Sequence, residues 1–190
     1  EALSVHERRY SYEYTELRDS VAGLTGHEID RSLARFVASR MTLEGVGRPF
    51  ATPERLVDDA MAGIESELRE QGLESIERVE PTDPLPAVDG EIVEYRGEID
   101  IPSFSREVDA YGVSTTIESD GDPLDAEGVF AVWMPEDDTA YVAGGVYPAE
   151  DALGRFVPAA AGLDIGTLLG LETDPTELRE RIVALVEATG

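Results

Sequence analysis

Two histidines, His6 and His27, are the only imidazoles in this chain that could serve as general bases or metal ligands. They stand 21 residues apart, in neither an H-x-H nor an H-E-x-x-H arrangement, so no metal site is written locally. His27 lies inside Thr25-Gly26-His27-Glu28, a capping-box pattern in which a solvated or capping histidine is the plain reading. No G-x-S-x-G elbow is present. A Ser-His-Asp hydrolase would have to assemble its triad in space.

Carboxylates are abundant, and two groups invite attention. Asp120, Asp122, Asp125 and Glu127 form D-x-D-x-x-D-x-E. That spacing misses the EF-hand calcium pattern and Pro123 interrupts it, so it reads as a solvated acidic turn. Glu94, Glu98 and Asp100 share one face of a strand, as paired carboxylates for acid–base work would. Arg96 stands among them, which fits an exposed charged face better. Gly45-Val46-Gly47 leads to Arg48-Pro49 rather than into a helix, and Gly144-Gly145 lies within a strand pattern. Neither matches a phosphate-binding loop; the second reads as a bulge or close backbone packing. Tyr10, Tyr12 and Tyr14 alternate with Ser11 and Glu13, which places the rings on one strand face. Such a face is a core surface or a ligand platform, and these tyrosines are the ligand-binding candidates. No catalytic residue, metal ligand or cofactor is assigned.

The elements that carry these residues follow from periodicity. Residues 3–15 read as a strand. The capping box predicts a short helix after Thr25, with Ile29, Leu33, Phe36 and Val37 at helical spacing, giving way to a strand near Phe36. Pro53 opens the clearest helix, with Leu56, Val57, Ala60, Met61, Ile64 and Leu68 in one stripe and Gly72 closing it. A strand is expected around Ser75 to Glu80, then a Pro-rich link. Over 91–101, Val93, Tyr95, Ile99 and Ile101 point one way while Glu94, Arg96, Glu98 and Asp100 point the other. Strict alternation predicts one buried and one wet face. Another strand is expected over Ala110 to Glu118, followed by a hairpin of VFAVWMP and TAYVAGGVYP. Alternation alone does not decide whether Val129, Ala131 and Trp133 or Phe130, Val132 and Met134 are buried. Asp174-Pro175-Thr176-Glu177 starts a last helix with Leu178, Ile182, Leu185 and Val186 on its apolar face. Strands joined by turns rather than helical crossovers predict an α+β fold: an antiparallel sheet packed by helices.

Composition bounds the rest. The chain has 190 residues, enough for one domain with a real core. It carries 41 acidic and 15 basic residues, a formal net charge of −26. Every basic residue is Arg; Lys, Asn and Cys are absent, and Gln71 is the only Gln. Area scaling gives a folded surface of about 8,900 Å², or about one net charge per 340 Å². At low ionic strength that charge repels itself; in molar salt the repulsion is screened within about 3 Å. The composition points to a strongly halophilic, haloarchaeal cell. An acidic mimic of nucleic acid would concentrate its acids on one face, whereas here they run through almost every segment. Nucleic-acid binding is disfavoured, because nothing supplies a basic stripe for phosphates. The weakly polar stretch Phe156–Leu171 is too short and Gly-rich to span a membrane. Zero Cys removes disulfides, thiol catalysis and Cys-based zinc sites.

The order of elements resembles a known fold. FVASRMTL leads to PERLVDDAMAGIESELREQG, a prolyl link, VDGEIVEYRGEIDI and the hairpin VFAVWMPEDDTAYVAGGVYP. This is similar to the PsbP-like α/β fold of photosystem extrinsic subunits and of small lipoproteins of the DcrB type. It also resembles haloarchaeal lipoproteins whose strand closes on G-x-Y-P, here Gly145-Val146-Tyr147-Pro148. The likeness covers 36–150, with 156–190 as a C-terminal helical extension of one domain spanning 1–190. It implies a non-enzymatic binding or accessory role, with an unidentified protein or small-molecule partner. It also implies a position outside the membrane, anchored through a segment upstream of Glu1. The alternative is a small-molecule enzyme, hydrolase-like, whose site is assembled in space around His27 or the carboxylate strand.

Overall fold

Period-2 patterning builds the centre of the molecule. The computed structural model describes residues 4–26, 32–44, 53–81, 90–110, 113–136, 138–152 and 173–189. His27, the Gly45-Val46-Gly47 run, the Pro-rich link at 82–86 and the stretch 156–171 lie outside them, as does the side chain of Leu56. In chain order the elements are β1 (Ser4–Glu13), α1 (Thr15–Thr25), β2 (Arg35–Glu44), α2 (Pro53–Glu70), β3 (Leu73–Val79) and β4 (Glu91–Ile99). There follow β5 (Phe104–Ala110), β6 (Val113–Ser119), β7 (Leu124–Glu136), β8 (Thr139–Pro148) and α3 (Pro175–Thr189). Six strands form an antiparallel sheet in the order β1-β2-β8-β7-β4-β3. β5 and β6 form a separate two-stranded hairpin. The fold is α+β, as the alternation predicts.

Three expectations are corrected. First, Thr25-Gly26, expected to open a helix, ends α1 instead; residues 27–31, where the expected helix would begin, lie outside the described residues. α1 runs Thr15–Thr25 and closes on Gly26, which adopts φ 70 and donates its N–H to the Ala22 carbonyl at 2.9 Å. Thr-Gly serves as well at a helix C-terminus as before an N-terminus, and the left-handed glycine decides the matter. Tyr14, at the start of α1, makes no side-chain cap, so the true start carries no signal. Second, the strand expected over 110–118 is present as β6, but it pairs with a strand, β5, that was not expected.

Third, the sheet has no uniformly wet face. α2 lies on one face, with Met61, Ile64 and Leu68 buried and the Tyr95 hydroxyl 3.7 Å from the Met61 sulfur. α3 lies on the other, burying Leu178, Ile182 and Val186 against β8, β7 and β2. The central strand β7 is therefore buried on both sides: Val129, Ala131 and Trp133 on one, Phe130 and Val132 on the other. β4 keeps the expected register, with Val93, Tyr95 and Ile99 inside and Arg96 exposed. Glu94, expected in solvent, is instead covered by α3 and paired with Arg179 at 2.8 Å. Leu185, expected on the apolar face of α3, is exposed. α3 starts as its sequence predicts: the Asp174 carboxylate accepts the Thr176 N–H at 2.8 Å. No helix among the described residues is long and apolar enough to cross a membrane.

Candidate functional site

A cleft lies where α2 leaves the sheet uncovered. α2 packs over the β3 and β7 side, so its other flank faces β2 and β8 across an open cleft of about 330 Å³. Alternation decides what lines it. Odd residues of β2 point in, giving Arg35, Val37, Ser39 and Met41; even residues of β8 and β7 add Val142, Val146 and Phe130. α2 supplies Ile64 and Leu68 at depth and Asp59, Gly63, Glu67 and Gln71 along the lip. The interior is thus aliphatic and aromatic, and polar groups gather at the mouth. Its volume falls at the small end of the range for ligand pockets.

Gly63 sits in the middle of α2 and lines the cleft. A Cβ built there would meet nothing within 4 Å. A helix-interior glycine costs about 0.5–1 kcal/mol relative to alanine, so the space beside it is kept open at the helix's expense.

The mouth is held by three side-chain contacts. Ser39, buried on β2, donates its hydroxyl to Glu7 of β1 at 2.7 Å. Gln71 donates to Glu67 at 2.6 Å. Arg9, on the edge strand, reaches over to pair with the same Glu67. Arg35 stands 3.9 Å from Glu67, too far for a hydrogen bond, with its side chain 25% exposed. Behind the cleft, burial first, and then the nearby Glu65 charge, push the Tyr95 hydroxyl up to about 12. Tyr95 also meets Phe130 edge-on at 5.9 Å. It is a structural group here, protonated at neutral pH.

The tyrosine stripe lies on the opposite face. Even residues of β1 point to the α3 side, where Tyr10 and Tyr12 are 62% and 61% exposed. Tyr12 stands 6.3 Å from Phe36. Tyr14 follows the strand and lies beneath the Arg181 guanidinium at 5.5 Å. Tyr12 and Tyr14 border a smaller groove of about 150 Å³ beside Leu178 and Ile182. Tyr10 and Tyr12 are exposed because β1 is the sheet edge and α3 sits further in.

The other sequence candidates do not converge. His6 is exposed on β1. Asp120 and Asp122 flank Gly121 in the turn before β7, while Glu127 accepts the buried Tyr147 hydroxyl at 3.1 Å. Burial, then Glu127, raises the Tyr147 hydroxyl well above its usual range. Gly144 serves close packing: a Cβ there would come within 2.3 Å of the Val129 carbonyl oxygen. Among the described residues no cluster of three His or carboxylate side chains is placed to hold a metal ion.

Arg9, Arg35, Ser39 and Glu67 were not singled out by motif or spacing. They come from β1, β2 and α2 and meet only in space. The one local hint was Gly63, a glycine inside an otherwise strong helix.

A family model described as a domain of unknown function (DUF6517) matches residues 1–190. No curated protein and no solved structure matches the chain.

Proposed function

The chain belongs to the DUF6517 family, and we propose that it is a non-catalytic binding domain whose ligand sits in the cleft between α2 and the β2–β8 part of the sheet. One observation carries this reading. The cleft has a mostly apolar interior, its charged groups at the mouth, and a glycine that leaves its wall open. That is the composition of a binding pocket rather than of a packing defect, since helix and sheet would gain by closing it. Ser39 pairs with Glu7, and Gln71 and Arg9 pair with Glu67. A hydrolytic role built on the carboxylate strand is not supported, for Glu94 lies on the face opposite the cleft, beneath α3; at the cleft the Ser39 hydroxyl meets the Glu7 carboxylate, and no histidine among the described residues lines the space.

The charge of −26 supports a working medium of molar salt, as for a domain of a halophile. The expected PsbP-like character and extracytoplasmic position are part of the same proposal and rest on element order.

The test is a neutral apolar fluorophore, N-phenyl-1-naphthylamine, titrated in about 2 M KCl to screen the chain's charge. Saturable enhancement with the natural chain is expected, and its loss in Gly63→Phe, which fills the cleft. Equal enhancement in both proteins, with Gly63→Phe as stable as its parent, would sink the cleft as the site.

A further inference from the structure

We infer that the cleft selects amphipathic anions, apolar molecules of medium length ending in one carboxylate, and that Arg9 and Arg35 receive the carboxylate while Glu67 holds their place in the empty site. This rests on the cleft being the binding site.

The argument starts from charge. Acids outnumber arginines 41 to 15, so a site left to average composition would be acidic. This mouth holds two arginines, Arg9 and Arg35, against three acids, Glu7, Asp59 and Glu67, a larger share of cations than the chain's average, and both guanidiniums are directed at Glu67. Arg35 is the telling one. Its stem lines an apolar wall, its side chain is three-quarters buried, and its only close polar neighbour among the described residues stands at 3.9 Å. A guanidinium in such a place has donors to spare, arranged in a planar fork that suits a carboxylate. Glu67 is itself shared between Arg9 and the Gln71 amide. An incoming carboxylate between Arg9 and Arg35 gives each cation a partner at hydrogen-bond distance, and Glu67 retains Gln71.

The rest of the ligand follows from shape. Beneath the arginines the walls are Val37, Met41, Ile64, Phe130 and Val142. A cleft of about 330 Å³ holds on the order of ten water-sized volumes of about 30 Å³ each. An unbranched chain of about ten carbons fits that space. The other acids at the mouth, Glu7 and Asp59, discourage a second negative charge. Monocarboxylates are therefore favoured over dicarboxylates and phosphates.

The experiment displaces the naphthylamine probe from the natural chain with decanoate, decanol and decylammonium, in about 2 M KCl. Decanol is the most easily desolvated and would win in a cleft without cations. Decanoate is expected to win instead, by about tenfold. Arg35→Met and Arg9→Met should each erase that advantage while leaving decanol unchanged. Glu67→Gln should move decanoate the other way, to tighter binding, because it frees both arginines; a merely structural role for Glu67 would weaken all three ligands together. Equal potency of decanoate and decanol, or preference for decylammonium, would overturn the anion while leaving the cleft itself intact. Failure of the probe to bind the natural chain would overturn both.

Discussion

Single residues decide this fold where burial leaves no alternative. Ile64 is buried beneath α2 between the helix and the sheet. Ile64→Asp places an unpaired carboxylate there and is expected to abolish the cooperative melting transition, read by circular dichroism. Tyr95 makes a subtler case. Among the described residues its hydroxyl bonds only the Met61 sulfur, at 3.7 Å, a weak bond. Tyr95→Phe should therefore cost little at neutral pH. At alkaline pH the sign reverses. Tyr95 ionises near 12 in the folded chain against 10.0 ordinarily. Below 10 both states hold the proton and stability is unaffected. Between 10 and 12 the unfolded chain releases it while the folded chain does not, so stability falls. Denaturant midpoints at pH 9 and about 11.5 should show a smaller loss in Tyr95→Phe than in its parent. An equal loss would place the alkaline sensitivity elsewhere, with Tyr147 the next buried hydroxyl to change.

At the scale of elements, the two kinds of glycine make opposite predictions. Gly63 has open space where its side chain would be. Gly63→Ala should stabilise the domain by about 0.5–1 kcal/mol, or roughly 1–4 °C in Tm for a chain of this length. Gly144 lies between strands, with Phe130 and the Val129 carbonyl where a Cβ would go. Gly144→Ala should destabilise strongly or prevent folding, since the β7–β8 pairing must open to admit it. Calorimetry on both variants checks the pair. A destabilised Gly63→Ala would mean that α2 packs more closely on the sheet than the open cleft requires. α2 and α3 together also explain the two buried faces of β7. Each helix has one apolar stripe, and β7 receives both, one on each face.

The whole molecule bears its charge in rows that only salt can quiet. Glu74, Glu98 and Asp125 stand opposite one another across three adjacent strands, like charges in register. The neighbouring row sets one cation between two acids, with Arg96 in register with Glu77 and Glu127. With a net charge of −26, Tm is expected to climb steeply between about 0.1 and 2 M KCl as repulsion is screened. Glu98→Gln breaks the like-charge row. It should raise Tm at low salt and lose that advantage at high salt. A Tm independent of KCl would refute the halophilic reading. A Glu98→Gln gain that persisted at 2 M would point to burial rather than repulsion.

Much of this was written locally. The stripe of α2, the alternation of β4, the β7–β8 hairpin and the Asp174 cap each depend on residues within a few positions of one another, so periodicity and capping chemistry specify them. Where a local signal was double-edged, as at Thr25-Gly26, the reading failed and α1 was missed. The sequence also determined, by composition alone, the charge that the surface must carry. It did not determine the sheet order, because strand partners are chosen by competition among distant segments. Nor did it show that α3 would cover the second face of β4 and shield Glu94. The cleft is the clearest case. Arg9 and Glu67 are 58 residues apart and belong to an edge strand and a helix. Only the antiparallel pairing of β1 with β2, and the packing of α2 across the same face, brings a cation of one to the carboxylate of the other, because a side chain's neighbours in space are set by the sheet and not by the chain.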